Sequence, residues 1–386
     1  MPRCSKDLLV AGGYTVGAVI IAVLCASLLG ATTHAFKDVD LTTTGVASPK
    51  DFDAYVATPK SLYVWSHTTD STARSTPAWV SLLQNEKDEA VYLAKFCRQH
   101  GFTEVYLFVG SVEWEYDDFF SKGEMPYTSA LRSTVSILTE MGLKTHFLVY
   151  LNDAVNNLES YEKITGVAEA AANFQQRYPN LRIGTLHIDQ EPSDPAQYEK
   201  YIKMLGLASA YMPISAALKP LWLRTTLTSI SDRFSLFDLS LEIPSLINIA
   251  DTAETFSDVI YYLTSGSAIM AYSDRTEQIV ELAQDSYRSA SRVGITSVKT
   301  AIETGYTNNL PEDETLHYEI VNNKDSWFTR FMELHGMFDT SSNGLGVSQN
   351  IVIHDYAQYF KTLYCVLPID QPDITGYAYI DCSNPK

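Results

Sequence analysis

The segment Ile183-Gly184-Thr185-Leu186-His187-Ile188-Asp189-Gln190-Glu191-Pro192 begins as an apolar run and ends in acid. Side chains two apart on a strand point the same way, so His187, Asp189 and Glu191 share one face. Pro192 removes a backbone donor and stops the strand just past Glu191. Two carboxylates held side by side cannot both ionise freely, so one pKa rises. A general acid working near neutral pH needs that rise. The same acids could instead cap a helix and fill its acidic first turn. A further carboxylate, Glu303, ends the apolar run Ser297-Val298-Lys299-Thr300-Ala301-Ile302-Glu303. Glycosidic cleavage uses two such groups, one to protonate the leaving oxygen and one as nucleophile or base. Lys299, deeper on the face of Glu303, is expected to balance Asp189 or His187.

The elements that must hold these groups follow a rhythm. Strand-like runs occupy 61–67, 104–110, 144–150, 183–191, 221–227, 267–272, 297–303 and 350–356. Helical spacing fills 86–99, 129–140, 162–177, 195–210, 275–292 and 326–337, with weaker helical character at 253–263 and 357–364. Strands and helices alternating at intervals of roughly 30–50 residues predict an α/β chain folded as a (β/α)8 TIM barrel. An open doubly wound sheet usually carries a Gly-rich phosphate loop after an early strand, and none occurs here.

In that architecture chemistry sits at the C-terminal strand ends. Reading only those ends collects Trp65 and His67, Glu113, Tyr150, Asn152 and Asp153, Asp189 and Glu191, Tyr272 and Asp274, Glu303, and His354 and Tyr356. Glu191, Glu303, Asp189 and Tyr272 are the catalytic candidates. Trp65, His67, Tyr150, Asn152, Asp274, His354 and Tyr356 are the substrate-binding candidates, with Trp65, Tyr150 and Tyr356 as rings for a sugar to stack on. Each has a bland alternative: rings also fill cores, and a lone histidine is more often a satisfied core residue. A metal-dependent hydrolase built on His67, His187, Asp189 and His354 lacks any H-x-H or HExxH spacing. The expected site therefore takes no metal and no cofactor.

These motifs resemble two groups of glycoside hydrolase barrels. Gln190-Glu191-Pro192 with Glu303 looks like the large retaining clan, whose acid/base Glu ends strand four and whose nucleophile Glu ends strand seven. There Tyr272 would match the strand-six tyrosine that hydrogen-bonds the nucleophile, although that clan has Asn where Gln190 stands. Leu186-His187-Ile188-Asp189-Gln190-Glu191 is similar to the D-x-D-x-E strand of chitinase-like barrels, with His187 replacing an acid. Ile269-Met270-Ala271-Tyr272 is similar to their M-x-Y, while His354 stands where a Trp is usual. The resemblance implies a glycosidase with Glu191 as proton donor, Glu303 as nucleophile or base, and Asp189 and Tyr272 tuning them. Its rival is a catalytically inactive, lectin-like barrel that only binds saccharide.

Composition sets outer bounds. With 386 residues and 46% hydrophobic content, the chain can build one large core. A formal net charge of −18 argues against a nucleic-acid partner and suits solubility and a neutral or cationic ligand. Residues 8–31 carry no charge and follow Arg3 and Lys6, the pattern of a signal peptide or a signal anchor. A cut near Thr33-His34-Ala35 is the favoured outcome, with membrane attachment through 8–31 as the other. Either places the barrel outside the cytosol, secreted or anchored. The expected division is a leader over 1–35, a linker or irregular lead-in over 36–59 and a catalytic barrel over 60–386. In such a compartment Cys365 and Cys382 are the natural disulfide pair, and Cys97 packs as a small apolar residue.

Overall fold

The computed structural model describes residues 51–65, 89–151, 158–305, 312–317, 320, 327–342, 345, 347–360 and 363. The leader, most of the lead-in, His67, Asn152, Asp153 and the Cys365–Cys382 pair lie outside the described residues. Among the described residues no helix is long and apolar enough to cross a membrane.

Eight parallel strands close on themselves in chain order. They are β1 (Lys60–Val64), β2 (Phe102–Ser111), β3 (Lys144–Tyr150), β4 (Ile183–Asp189), β5 (Ile214–Leu218), β6 (Ala268–Met270), β7 (Ser297–Glu303) and β8 (Ser348–His354). The expected (β/α)8 barrel is therefore the fold. Its helices are α1 (Phe52–Ala57), α2 (Glu89–Gln99), α3 (Val112–Glu115), α4 (Thr128–Glu140), α5 (Leu158–Arg177), α6 (Tyr198–Ser209), α7 (Pro220–Arg224), α8 (Leu236–Glu242), α9 (Phe256–Leu263), α10 (Thr276–Arg292), α11 (Trp327–Ser342) and α12 (Tyr356–Phe360). One apolar cluster lies between strands and helices, and a smaller one fills the barrel.

The fifth strand departs from the sequence reading. It is Ile214–Leu218, whereas 221–224 belongs to the short helix α7 and 227–230 to a 3-10 turn. Ser215, Ala216 and Ala217 are too small to announce a strand, yet small residues suit a barrel wall. Pro220 presets the first helical turn. Trp222 is wholly buried against Tyr201 and Phe256, so packing overrides the β-type composition.

The lead-in also ends in order rather than irregularity. In α1, Tyr55 is fully buried between Phe328 and Phe331. The Lys60 ammonium donates to the carbonyls of Tyr55 at 2.5 Å and Thr58 at 2.8 Å, tying α1 to the start of β1. Cys97 is free and buried, as expected.

Candidate active site

Alternation along each strand sorts the inward side chains into layers. Tyr63, Tyr106, Phe108, Leu148, Ala268, Ala301 and Val352 pack together inside the barrel, and Trp65, Tyr150 and Tyr272 rest against them. Register then fixes neighbours at the C-terminal ends: Tyr150 lies opposite Asp189, and Glu303 opposite His354.

Glu303 is buried at 3% exposure. One oxygen accepts from the Gly305 backbone N–H at 2.7 Å, and the other from His354 Nδ1 at 2.6 Å. A Cβ at Gly305 would sit 2.4 Å from the Gln358 Cβ, so only glycine lets the chain turn this closely past the carboxylate. His354 Nε2 lies 2.8 Å from Trp65 Nε1. An indole N–H only donates, so Nε2 accepts and Nδ1 carries the proton towards Glu303. Burial opposes charge on this ring. The Glu303 carboxylate and its hydrogen bond outweigh burial, Asp355 and Asp189 add to them, and the pKa rises to about 9. A second proton, on Nε2, would face the Trp65 N–H, so charging His354 requires Trp65 to turn away.

Asp189 ends β4 half-buried, and Glu191 stands just beyond it, also half-buried. Lys219 Nζ lies 3.5 Å from Glu191 Oε2 and donates to Ser193 Oγ at 2.9 Å. Burial raises the Tyr272 phenol well above its ordinary pKa, and the charges of Glu303, Asp189 and Glu191 raise it further. Burial likewise raises Tyr63, helped by Tyr106, Asp189 and Glu191. Acids from the ends of β4 and β7 thus act on the same phenol.

Other candidates stand elsewhere. Asp274 is exposed, its backbone N–H donating to the Asp313 carbonyl at 3.0 Å. Tyr356 is not a stacking ring at the mouth: it is 2% exposed and edge-on to Phe96 of α2, with centroids 5.2 Å apart. It begins α12, so the strand parity used to aim it inward has already ended. Lys299 does not balance Asp189 or His187; it bonds Glu104 and, at 2.6 Å, the Tyr106 hydroxyl. Among the described residues no group of three or more His, Cys, Asp or Glu side chains is arranged to hold a metal.

Sequence reasoning missed the layer beneath the mouth. Tyr63, Glu104, Tyr106, His146 and Ser215 all join inward hydrogen bonds. Strand parity could have found most of them, since Tyr63 lies two before Trp65 and His146 four before Tyr150. At the end of β2 the buried acid is Glu115, 6% exposed, rather than half-buried Glu113. Burial lifts Glu115 to about 7 against a backbone N–H from Ser111 at 2.8 Å.

No family model and no curated protein matches the sequence. Solved structures of similar architecture include a candidate alpha-L-fucosidase from Bacteroides thetaiotaomicron VPI-5482, with 12% identity, TM-score 0.47, and coverage of 89% of this chain and 98% of that one. A chitinase from Bacteroides thetaiotaomicron follows at 8% identity, TM-score 0.45, covering 78% and 89%. A sugar phosphate isomerase/epimerase from Parabacteroides distasonis ATCC 8503 gives 9% identity, TM-score 0.39, covering 85% and 98%. The likeness is one of fold. The class that fold and site define is a (β/α)8 barrel whose mouth joins carboxylates to aromatic rings.

Proposed function

We propose that the chain is a glycoside hydrolase acting on an oligo- or polysaccharide at the C-terminal mouth of the barrel. Glu191 is the proton donor and Glu303 the nucleophile or base. Asp189 tunes Glu191, Tyr272 orients the second carboxylate or the substrate, and Trp65 and Tyr150 are the rings a sugar stacks on. The observation that carries this reading is the placement of Asp189 at the end of β4, Glu191 just beyond it and Glu303 at the end of β7, with Tyr272 resting on the ring cluster inside the same barrel. Paired carboxylates flanking the scissile bond are what glycosidic cleavage requires. His67, Asn152 and His354 complete the proposed binding set, with no metal or cofactor.

A panel of aryl glycosides tests the reading. Glu191→Gln and Glu303→Gln should each lower kcat by roughly 10²–10⁴-fold, the usual worth of a general acid or base, with saccharide binding retained in calorimetry. Full turnover in either variant removes that residue from the mechanism. A second reading, a saccharide-binding barrel without turnover, is favoured by the engagement of both Glu303 oxygens and by Lys219 beside Glu191. It predicts binding with no product from any glycoside. The proposed location is outside the cytosol, secreted or held by residues 8–31. Recovery of the full chain in the soluble cytosolic fraction would contradict it.

A further inference from the structure

A run of hydrogen bonds crosses the barrel interior, and donor chemistry fixes its direction. It starts at the Thr185 backbone N–H, which donates to His146 Nδ1 at 3.1 Å. That nitrogen is therefore an acceptor, and the proton of neutral His146 sits on Nε2, 3.5 Å from Glu104 Oε2. Burial holds the His146 pKa down at about 4, so the ring is neutral near pH 7. Thr185 Oγ1 lies 2.8 Å from the same Nδ1, so its hydroxyl donates there. Ser215 Oγ, 2.7 Å from Thr185 Oγ1, must then donate to it. With the Ser215 proton committed, His187 Nδ1 at 2.9 Å must carry a proton and donate to Ser215. His187 is fully buried, and burial, His146 and Lys299 all keep it neutral. Its Nε2 is then a lone pair, which accepts from the Tyr63 hydroxyl at 2.8 Å.

We propose that this one-way relay makes Tyr63 a positioning residue: its only proton points inward, and it offers lone pairs alone to the groups above it. Asp189 stands two residues beyond His187 on β4, on the same strand face, and its charge and that of Glu191, which Lys219 meets, both act on Tyr63. Glu303 ends β7, Tyr272 follows β6, and the His354 ring of β8 has its centroid 5.4 Å from that of Tyr63. The Tyr106 ring stacks on Tyr63 with centroids 4.9 Å apart, and its hydroxyl accepts from Lys299, which also bonds Glu104. An ionised carboxylate finds no donor in such a phenol, whereas a protonated one finds an acceptor. The relay thus favours one retained proton on the Asp189–Glu191 pair. That consequence deepens, and rests on, the reading of Glu191 as an acid; the hydrogen-bond direction does not.

Nitrogen-15 and carboxyl carbon-13 NMR of the full chain test it without needing turnover. Wild type should show His187 as the Nδ1–H tautomer. Tyr63→Phe should keep that tautomer, because the direction is set from Thr185. Ser215→Ala should release it to Nε2–H, free the Tyr63 proton towards the mouth, and move the carboxyl titration of Asp189 and Glu191 to lower pH. An Nε2–H tautomer in wild type, or a tautomer that follows Tyr63→Phe and ignores Ser215→Ala, overturns the relay. An unchanged carboxyl titration in Ser215→Ala overturns its effect on the acid pair. Failure of the glycosidase reading would show separately, as no product from the glycoside panel.

Discussion

At the residue scale, the mouth is organised by which atoms can donate. Trp65 can only donate and the Glu303 carboxylate can only accept, so His354 between them is held in one tautomer. This gives a sharp expectation for Trp65→Phe. Removing the indole N–H removes the group that opposes a proton on Nε2, so the His354 pKa should rise above that of the wild type. Proton NMR titration of the imidazole reads it directly, and an unchanged or lower midpoint would refute the tautomer assignment.

At the element scale, the outer ring depends on joints between consecutive helices. Asp258 in the first turn of α9 is fully buried and closes a capping box with Thr255. It also meets Arg292 of α10, with Nε and Nη2 both at 2.9 Å, and bonds Ser289. Burial alone would raise its pKa, but Arg292, Ser289, the Glu254 backbone N–H and Thr255 together hold it below the usual value. Asp258→Ala would leave the guanidinium with only its 3.6 Å contact to Glu254 among carboxylates, and the cap unmade. The expected loss is about 3–5 kcal/mol, the range for breaking a buried pair from one side. Urea unfolding measures it, and a loss near zero would show that α9 and α10 are held by apolar packing alone.

At the scale of the whole molecule, buried imidazoles set the response to pH. Burial lowers His187 well below its ordinary value of 6.5, His146 to about 4 and His100 to about 3. The unfolded chain takes up protons on these rings below about pH 6.5, and the folded chain does not. Stability should therefore fall progressively as pH drops from about 6.5 towards 4. Glu104, held below its ordinary 4.5 despite burial by His146 and Lys299, extends the loss further into acid. Urea midpoints should therefore decline as pH falls from 7 towards 4. A flat profile from pH 7 to 5 would mean the interior histidines charge without opening the barrel.

The alternation of apolar strands with amphipathic helices was legible because burial imposes periods of 2 and 3.6 on local sequence. It yielded the barrel and the strand that carries Asp189, although β4 ends at Asp189 and not at Glu191, where the sequence reading stopped it. It also yielded Trp65, Tyr150, Tyr272, Glu303 and His354 as strand-end residues, because each stands at or just past the end of a strong strand signal. Ile214–Leu218 escaped, since a strand of small residues is defined by its neighbours and not by its own hydrophobicity. Tyr356 was misplaced because the change from strand to helix at Asp355 leaves no local mark on composition. The pairing of Lys299 with Glu104, the His354–Glu303 contact and the chain from Thr185 to Tyr63 join residues far apart in sequence. Only closure of the barrel decides them, because hydrogen-bond direction depends on which donors and acceptors meet, and no local period records that.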